Sequence, residues 1–157
     1  MKSDIKRAIE HFKISRETCL KLIDGLTYSQ LITIPKGFNN SIFWNVSHLV
    51  VTQQLLQYKL SSLPMHISDE IVNDFRKGSV AKSDYSEIIW QKILELFSRL
   101  PSQLASDYEN ELFAKYNEYT TSFGVTLNSI EDAIAFNNIH EGLHIGYIMA
   151  LKRVVLL

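Results

Sequence analysis

The sequence predicts an all-α fold, a four-helix bundle built as a single domain over residues 1–157. Three observations predict it. Four long stretches carry apolar residues at helical spacing, breaker-rich segments separate them, and a serine or aspartate stands ready to cap three of the four. Composition agrees: of 157 residues, 46% are hydrophobic and 21% charged, and a chain of this length buries about 68–70% of its unfolded surface.

The first stretch begins near Asp4. Ile5, Ala8, Ile9, Phe12, Cys19, Leu22, Ile23 and Leu26 recur at helical spacing, with Lys6, Glu10, Lys13, Glu17, Lys21 and Asp24 filling the other side. Cys19 falls on the apolar stripe and reads as a small core residue. As the single cysteine, it has no internal disulfide partner.

After the breaker run IPKGFNN, Ser41 caps a second helix reaching about Leu60. Its content, IFWNVSHLVVTQQLLQYKL, is apolar on nearly every side, so the helix is buried by the fold or by a partner chain. The stretch from Ser61 to Lys82 holds Pro64 and Gly78 around a short helix, Asp69 to Arg76, and reads either as the rim or lid of a site or as a plain crossover.

Asp84 and Glu87 are spaced to box the start of a third helix, whose stripe is Tyr85, Ile88, Ile89, Ile93, Leu96, Phe97 and Leu100. Pro101 is expected to kink or restart it, with helix continuing to about Phe113. Tyr116 to Leu127 reads as a loop or a weak hairpin around Gly124. Ser129 with Asp132 opens the last helix, which runs to about Val155; Glu131 and Asp132 suit its positive end, and Lys152 and Arg153 its negative end.

Charge excludes one function class. Sixteen basic against 17 acidic residues, a net charge of -1, make no broad basic field for nucleic acid. The start MKSDIKRAIEHF lacks the apolar core of a secretory signal, and the longest apolar run is broken by Lys152 and Arg153. The expectation is a cytoplasmic protein without membrane or nucleic-acid partners.

His140 and His144 stand four apart on the last helix, so their side chains project within about 40° of each other, one turn apart. Their face also carries Ala133, Phe136, Asn137, Tyr147 and Leu151. Two imidazoles on an apolar face need partners, and a shared metal satisfies both. His48, on a similar face of the second helix with Trp44, Asn45, Thr52 and Leu55, is the third ligand candidate. Standing alone it would read as a hydrogen-bonded core histidine. Three imidazoles leave coordination positions open, as in catalytic zinc sites. Asn45, Thr52, Asn137, Glu141 and Tyr147 are further candidates to orient a ring or a bound water, or else ordinary polar residues of the helices.

His140-Glu141-Gly142-Leu143-His144 also spells the H-E-x-x-H of zinc proteases. No Asp, Glu or His follows His144, so the downstream ligand of those enzymes is missing. Glu141 reads as a solvated or partner-facing residue. His11 and His66 read as surface residues, and Trp44 and Trp90 as core aromatics. Gly142, Gly146 and Ala150, opposite the histidines, suit either a homodimer contact or a close contact within the chain.

The second-helix WNVSHLVVTQQLLQYKL, the segment EIVNDFRKGS and the final SIEDAIAFNNIHEGLHIGYIMALKRV resemble the DinB-like (DinB/YfiT) superfamily over nearly the whole chain. The resemblance implies an up-down-down-up bundle, commonly dimeric, with a three-histidine site for a divalent metal, often zinc or nickel. Carried over, its ligands are His48, His140 and His144. It further implies chemistry with low-molecular-weight thiols such as bacillithiol or mycothiol, as S-transferases or isomerases. Two features depart from the family. Ile145 and Gly146 stand where members often carry His and Arg, and no cluster of Arg or Lys is legible near the triad.

The expected function is therefore a divalent-metal enzyme on a small-molecule substrate, either a thiol-dependent S-transferase or a metal-assisted hydrolase. The alternative is a non-catalytic dimeric metal-binding or stress-response module. Because ligating histidines must be neutral, metal affinity is expected to fall below about pH 6.5.

Overall fold

A computed structural model describes residues 2–157. Helix α1 (Lys2–Ile23), a short α2 (Tyr28–Ile32), α3 (Ile42–Gln53), α4 (Asp69–Phe75), α5 (Glu87–Glu109) and α6 (Ile130–Val155) follow in order, with a two-strand hairpin, β1 (Tyr119–Thr120) and β2 (Thr126–Leu127), before α6. Four long helices form the bundle. Both α1 and α3 pack against both α5 and α6. No helix among the described residues is long and apolar enough to cross a membrane.

Local signals set most boundaries. Ser41 Oγ accepts from Trp44 N at 3.1 Å, and Ser129 Oγ from Asp132 N at 3.2 Å, satisfying orphan donors of the first turn. Asp84 does not box α5; Ser86 caps it through Ile89 N. The helix α2, absent from the sequence reading, opens with a reciprocal Thr27–Gln30 capping box. Gly25, with φ 77°, ends the α1 region in the left-handed conformation that glycine adopts freely.

Two expectations about helix continuity change. The second helix does reach Lys59, but its last six residues, Gln54–Lys59, are π-helical. The wider turn carries Gln54, Gln57 and Tyr58 inward with the apolar residues, and Tyr58 Oη donates to Asp107 at 2.7 Å. The third helix runs through Pro101 and ends at Glu109 instead of near Phe113. Proline cannot donate to the carbonyl four residues back. That carbonyl belongs to Phe97, and Arg16 Nη1 takes it at 3.3 Å.

Apolar burial forms two clusters. One gathers Cys19, Phe43, Trp90, Phe97 and Ile148, and the other gathers Ile9, Phe12, Leu104, Ala133 and Phe136. Arg16 stands between them, its guanidinium 4.6 Å from the Phe12 ring centre and 4.4 Å from that of Phe97.

Candidate metal centre

His48 projects from α3, and His140 and His144 from successive turns of α6. Ring centres lie 5.2 Å (His48–His140), 4.9 Å (His48–His144) and 4.5 Å (His140–His144) apart. One ligand nitrogen from each lies within 4.8 Å of the other two, so small ring rotations would bring all three onto one ion.

Neighbouring groups fix two of the rings. His48 Nδ1 lies 2.7 Å from the Phe75 carbonyl, which only accepts, so Nδ1 carries the proton and Nε2 carries the lone pair. Thr52 Oγ1 lies 3.2 Å from that Nε2 and donates to it. His144 Nδ1 lies 2.8 Å from Asn45 Oδ1, and Asn45 Nδ2 donates to Ser41 O at 2.7 Å, which orients the amide. His144 therefore also presents Nε2. Trp44 stacks on His48, 4.6 Å and 10° between planes, and its Nε1 donates to Ser79 Oγ at 3.1 Å.

The donor set fits a divalent cation. His140 Nδ1 is buried with no partner among the described residues, an orphan that costs free energy unless something binds the ring. Burial, then neighbouring His144, His48 and Arg16, pushes the His140 pKa down to about 3. Burial, then His48, lowers that of His144 to about 4. For His48 burial lowers it, opposed by the bond to Phe75. All three are neutral at pH 7, as ligands must be. Held away from water, the rings keep the neutral form to lower pH than an ordinary imidazole.

A cavity of about 750 Å³ opens beside the histidines, within the range of small-molecule pockets. Thr52, Asn45 and Tyr147 line it, with Tyr147 edge-on to Phe38 at 5.5 Å. The 61–82 crossover contributes Lys77 and Gly78 to its wall as well as the Phe75 carbonyl on His48, so this segment is part of the site's rim. The hairpin adds Tyr119, Thr121 and Phe123. Lys59 also lines the cavity, so cations that the sequence did not place near the triad are there.

Glu141 is the main correction. It faces neither solvent nor a partner: it is 0% exposed and paired with Arg16, 1% exposed, at 2.9 Å. Asn137, whose Nδ2 donates to Glu141 Oε1 at 3.5 Å, belongs to this buried network and does not orient a ring. Arg16 Nη2 also donates to Leu49 O at 3.0 Å. One guanidinium thus joins all four long helices, touching the residue after His48 and the residue after His140. Its signal was in the sequence: Ile9, Phe12, Arg16, Cys19 and Ile23 share helical spacing, and a cation on an apolar stripe requires an acid from another element.

Of the other residues singled out, Cys19 and both tryptophans are buried in the core, and His11 is exposed. His66 is drawn to 3.6 Å from Asp107 instead of lying free. Gly142, Gly146 and Ala150 are exposed, and a Cβ on either glycine would meet nothing within 4 Å, so the stripe makes no close contact within the chain.

The class these features define is a helical bundle whose three clustered histidines could together hold a metal ion, and the comparisons place it. A sequence model of the DinB superfamily matches residues 11–148, and the chain belongs to that superfamily. It is similar in structure to YfiT from Bacillus subtilis, described as a probable metal-dependent hydrolase with an unusual four-helix bundle topology. The two share 18% identity and a TM-score of 0.62, over 98% of this chain and 88% of that one. That likeness shows the fold. No curated protein matches the sequence.

Proposed function

We propose that this protein is a divalent-metal-dependent enzyme acting on a small molecule, by hydrolysis or by transfer of a low-molecular-weight thiol. One observation carries the reading: three histidines, neutral at pH 7 and pointed at one another, open onto a cavity large enough for a substrate. His48, His140 and His144 would hold the ion; imidazole donors suit zinc, copper, iron and nickel alike, and the family resemblance points to zinc or nickel. When bound, such an ion lowers the pKa of a thiol or water sharing its coordination and so supplies a nucleophile near neutral pH. The chain's own part is positional. Phe75 O and Asn45 hold two rings with Nε2 inward, and Trp44 stacks against His48. No Asp or Glu among the described residues lines the cavity, so the reading assigns no carboxylate base.

The test is metal content by elemental mass spectrometry, wild type beside His48→Ala. Zinc- and nickel-loaded protein is then assayed on ester and amide substrates and on thiol plus chlorodinitrobenzene. About one ion per chain, lost in the variant, with turnover that follows loading, supports the reading. No ion in either protein after zinc and nickel are offered overturns it.

A second reading has one observation in its favour, the same absence of an acid or base beside the histidines. On it the bundle is a non-catalytic module, with the exposed Gly142, Gly146 and Ala150 stripe as its homodimer surface. Metal removal separates the two: the module loses melting temperature and has no turnover to lose.

A further inference from the structure

The cavity beside the histidines has two chemically different ends. Trp44, His48, Thr52, Leu55 and Lys59 line it along one continuous helix, and 16 residues of helix span roughly 20 Å. The histidines sit inside that length. At the Trp44 end, where Ser79 bonds the indole, the wall is Asn39, Asn40, Lys77 and Gly78. At the other end it is Leu55, Leu56, Leu60, Phe123 and Phe136, with Lys59 at the rim. Because Asn45 bonds His144 while Phe136 precedes His140 by a turn, helices α3 and α6 agree on which end is which.

Charge is one-sided. Neither Lys59 nor Lys77 has an ion pair among the described residues, and no Asp or Glu among them lines the cavity. The Asn39 and Asn40 side chains form no hydrogen bond among the described residues and supply free amide donors beside Lys77. A cation with neutral donors recognises a carboxylate or similar oxyanion, whereas Lys59 lies along apolar wall, where a lysine stem covers hydrocarbon and keeps its ammonium in water.

From this we infer that the substrate is an amphipathic organic anion, its oxyanion head held by Lys77 with Asn39 and Asn40, its apolar body along Leu55, Leu56 and Phe136. The inference deepens the proposed function and rests on its placing the reacting centre at the histidines, which lie between head and body. The uncompensated lysines disfavour an organic cation, and the leucine and phenylalanine side chains favour an apolar body over a fully polar molecule, although the hairpin's Tyr119, Thr121 and Ser122 also line the cavity.

Titration calorimetry with octanoate, octan-1-ol and octyltrimethylammonium tests it, on protein as purified and after chelation. Octanoate is expected to bind at least about tenfold more tightly than the alcohol, the cation not at all, and Lys77→Met to remove that advantage while Lys59→Met changes it less than about threefold. The Lys77→Met loss must appear in metal-free protein too. Equal binding of acid and alcohol overturns the inference, as does equal loss in both lysine variants. Octanoate binding that ignores Lys77→Met and vanishes on chelation or in His48→Ala places the head on the ion: the inference fails and the metal reading stands. Lys77-dependent binding in a protein that holds no metal does the reverse.

Discussion

Arg16 of α1 and Glu141 of α6 meet at 2.9 Å in the centre of the bundle, both shut off from solvent. Arg16 also holds Leu49 O on α3 and Phe97 O on α5, the carbonyl that Pro101 leaves without its helical donor. The pair therefore sets how the helix bearing His48 sits against the helix bearing His140. Burial raises the Glu141 pKa and Arg16 opposes that rise. Arg16→Met leaves a carboxylate buried without its partner, and urea unfolding should show a loss of about 3–5 kcal/mol; Arg16→Met/Glu141→Leu should recover most of it. A double variant as unstable as the single one would mean the pair is not the unit.

Asn45 and Thr52 touch histidines in opposite senses. Asn45 Oδ1 accepts from His144 Nδ1 and leaves Nε2 toward the site. Thr52 donates to His48 Nε2, an atom a metal would need. Asn45→Ala should weaken zinc binding about 10- to 100-fold in competition with a chelating dye. Thr52→Val should not weaken it. Equal loss in both would refute this division of roles.

Acid should destabilise the metal-free protein through His140 and His144. Their folded values, about 3 and about 4, lie below the ordinary 6.5. Between these limits the unfolded chain binds protons that the folded one does not, so stability falls as pH drops from about 6.5 toward 4. Above 6.5 both states are neutral and the effect vanishes. The slope is about 1.4 kcal/mol per pH unit for each histidine. Urea midpoints from pH 7.5 to 5 should drop less in a His140→Leu/His144→Leu variant; parallel curves would contradict the assignment.

Zinc at about 100 times its Kd should add about 2.7 kcal/mol of stability, a rise of about 5–10 °C in Tm for a chain this long. Scanning calorimetry of His48→Ala under the same conditions should show the rise abolished. An undiminished rise would mean the ion binds elsewhere.

Cys19 should be inert in the folded protein. Burial first, then Glu141, pushes its thiol up to about 12, against Arg16. Alkylation by iodoacetamide at pH 8 should be slower than in urea by about 100-fold or more. Comparable rates would show that the core opens readily around α1.

Much of this was legible along the chain, because caps and periodicity are local. Ser41 and Ser129 start the helices they were expected to start, and the four-residue spacing of His140 and His144 alone puts both rings on one face. Ser86 displaced Asp84, and α2 went unread, because short capping signals compete within a few residues and backbone geometry chooses among them. Lys59 and Lys77 stand 18 positions apart, and no spacing rule joins them to a histidine on another helix.

By itself, then, the sequence determined the four long helices, their apolar stripes and the pairing of His140 with His144, since each follows from residues within a turn or two of one another. Tertiary structure alone decided that Glu141 turns inward to Arg16, that the crossover brings the Phe75 carbonyl to His48, and that two lysines flank the cavity. Those outcomes depend on how whole helices rotate and slide against each other. That arrangement is chosen by burying most of each apolar stripe at once while pairing the buried charges of Arg16 and Glu141.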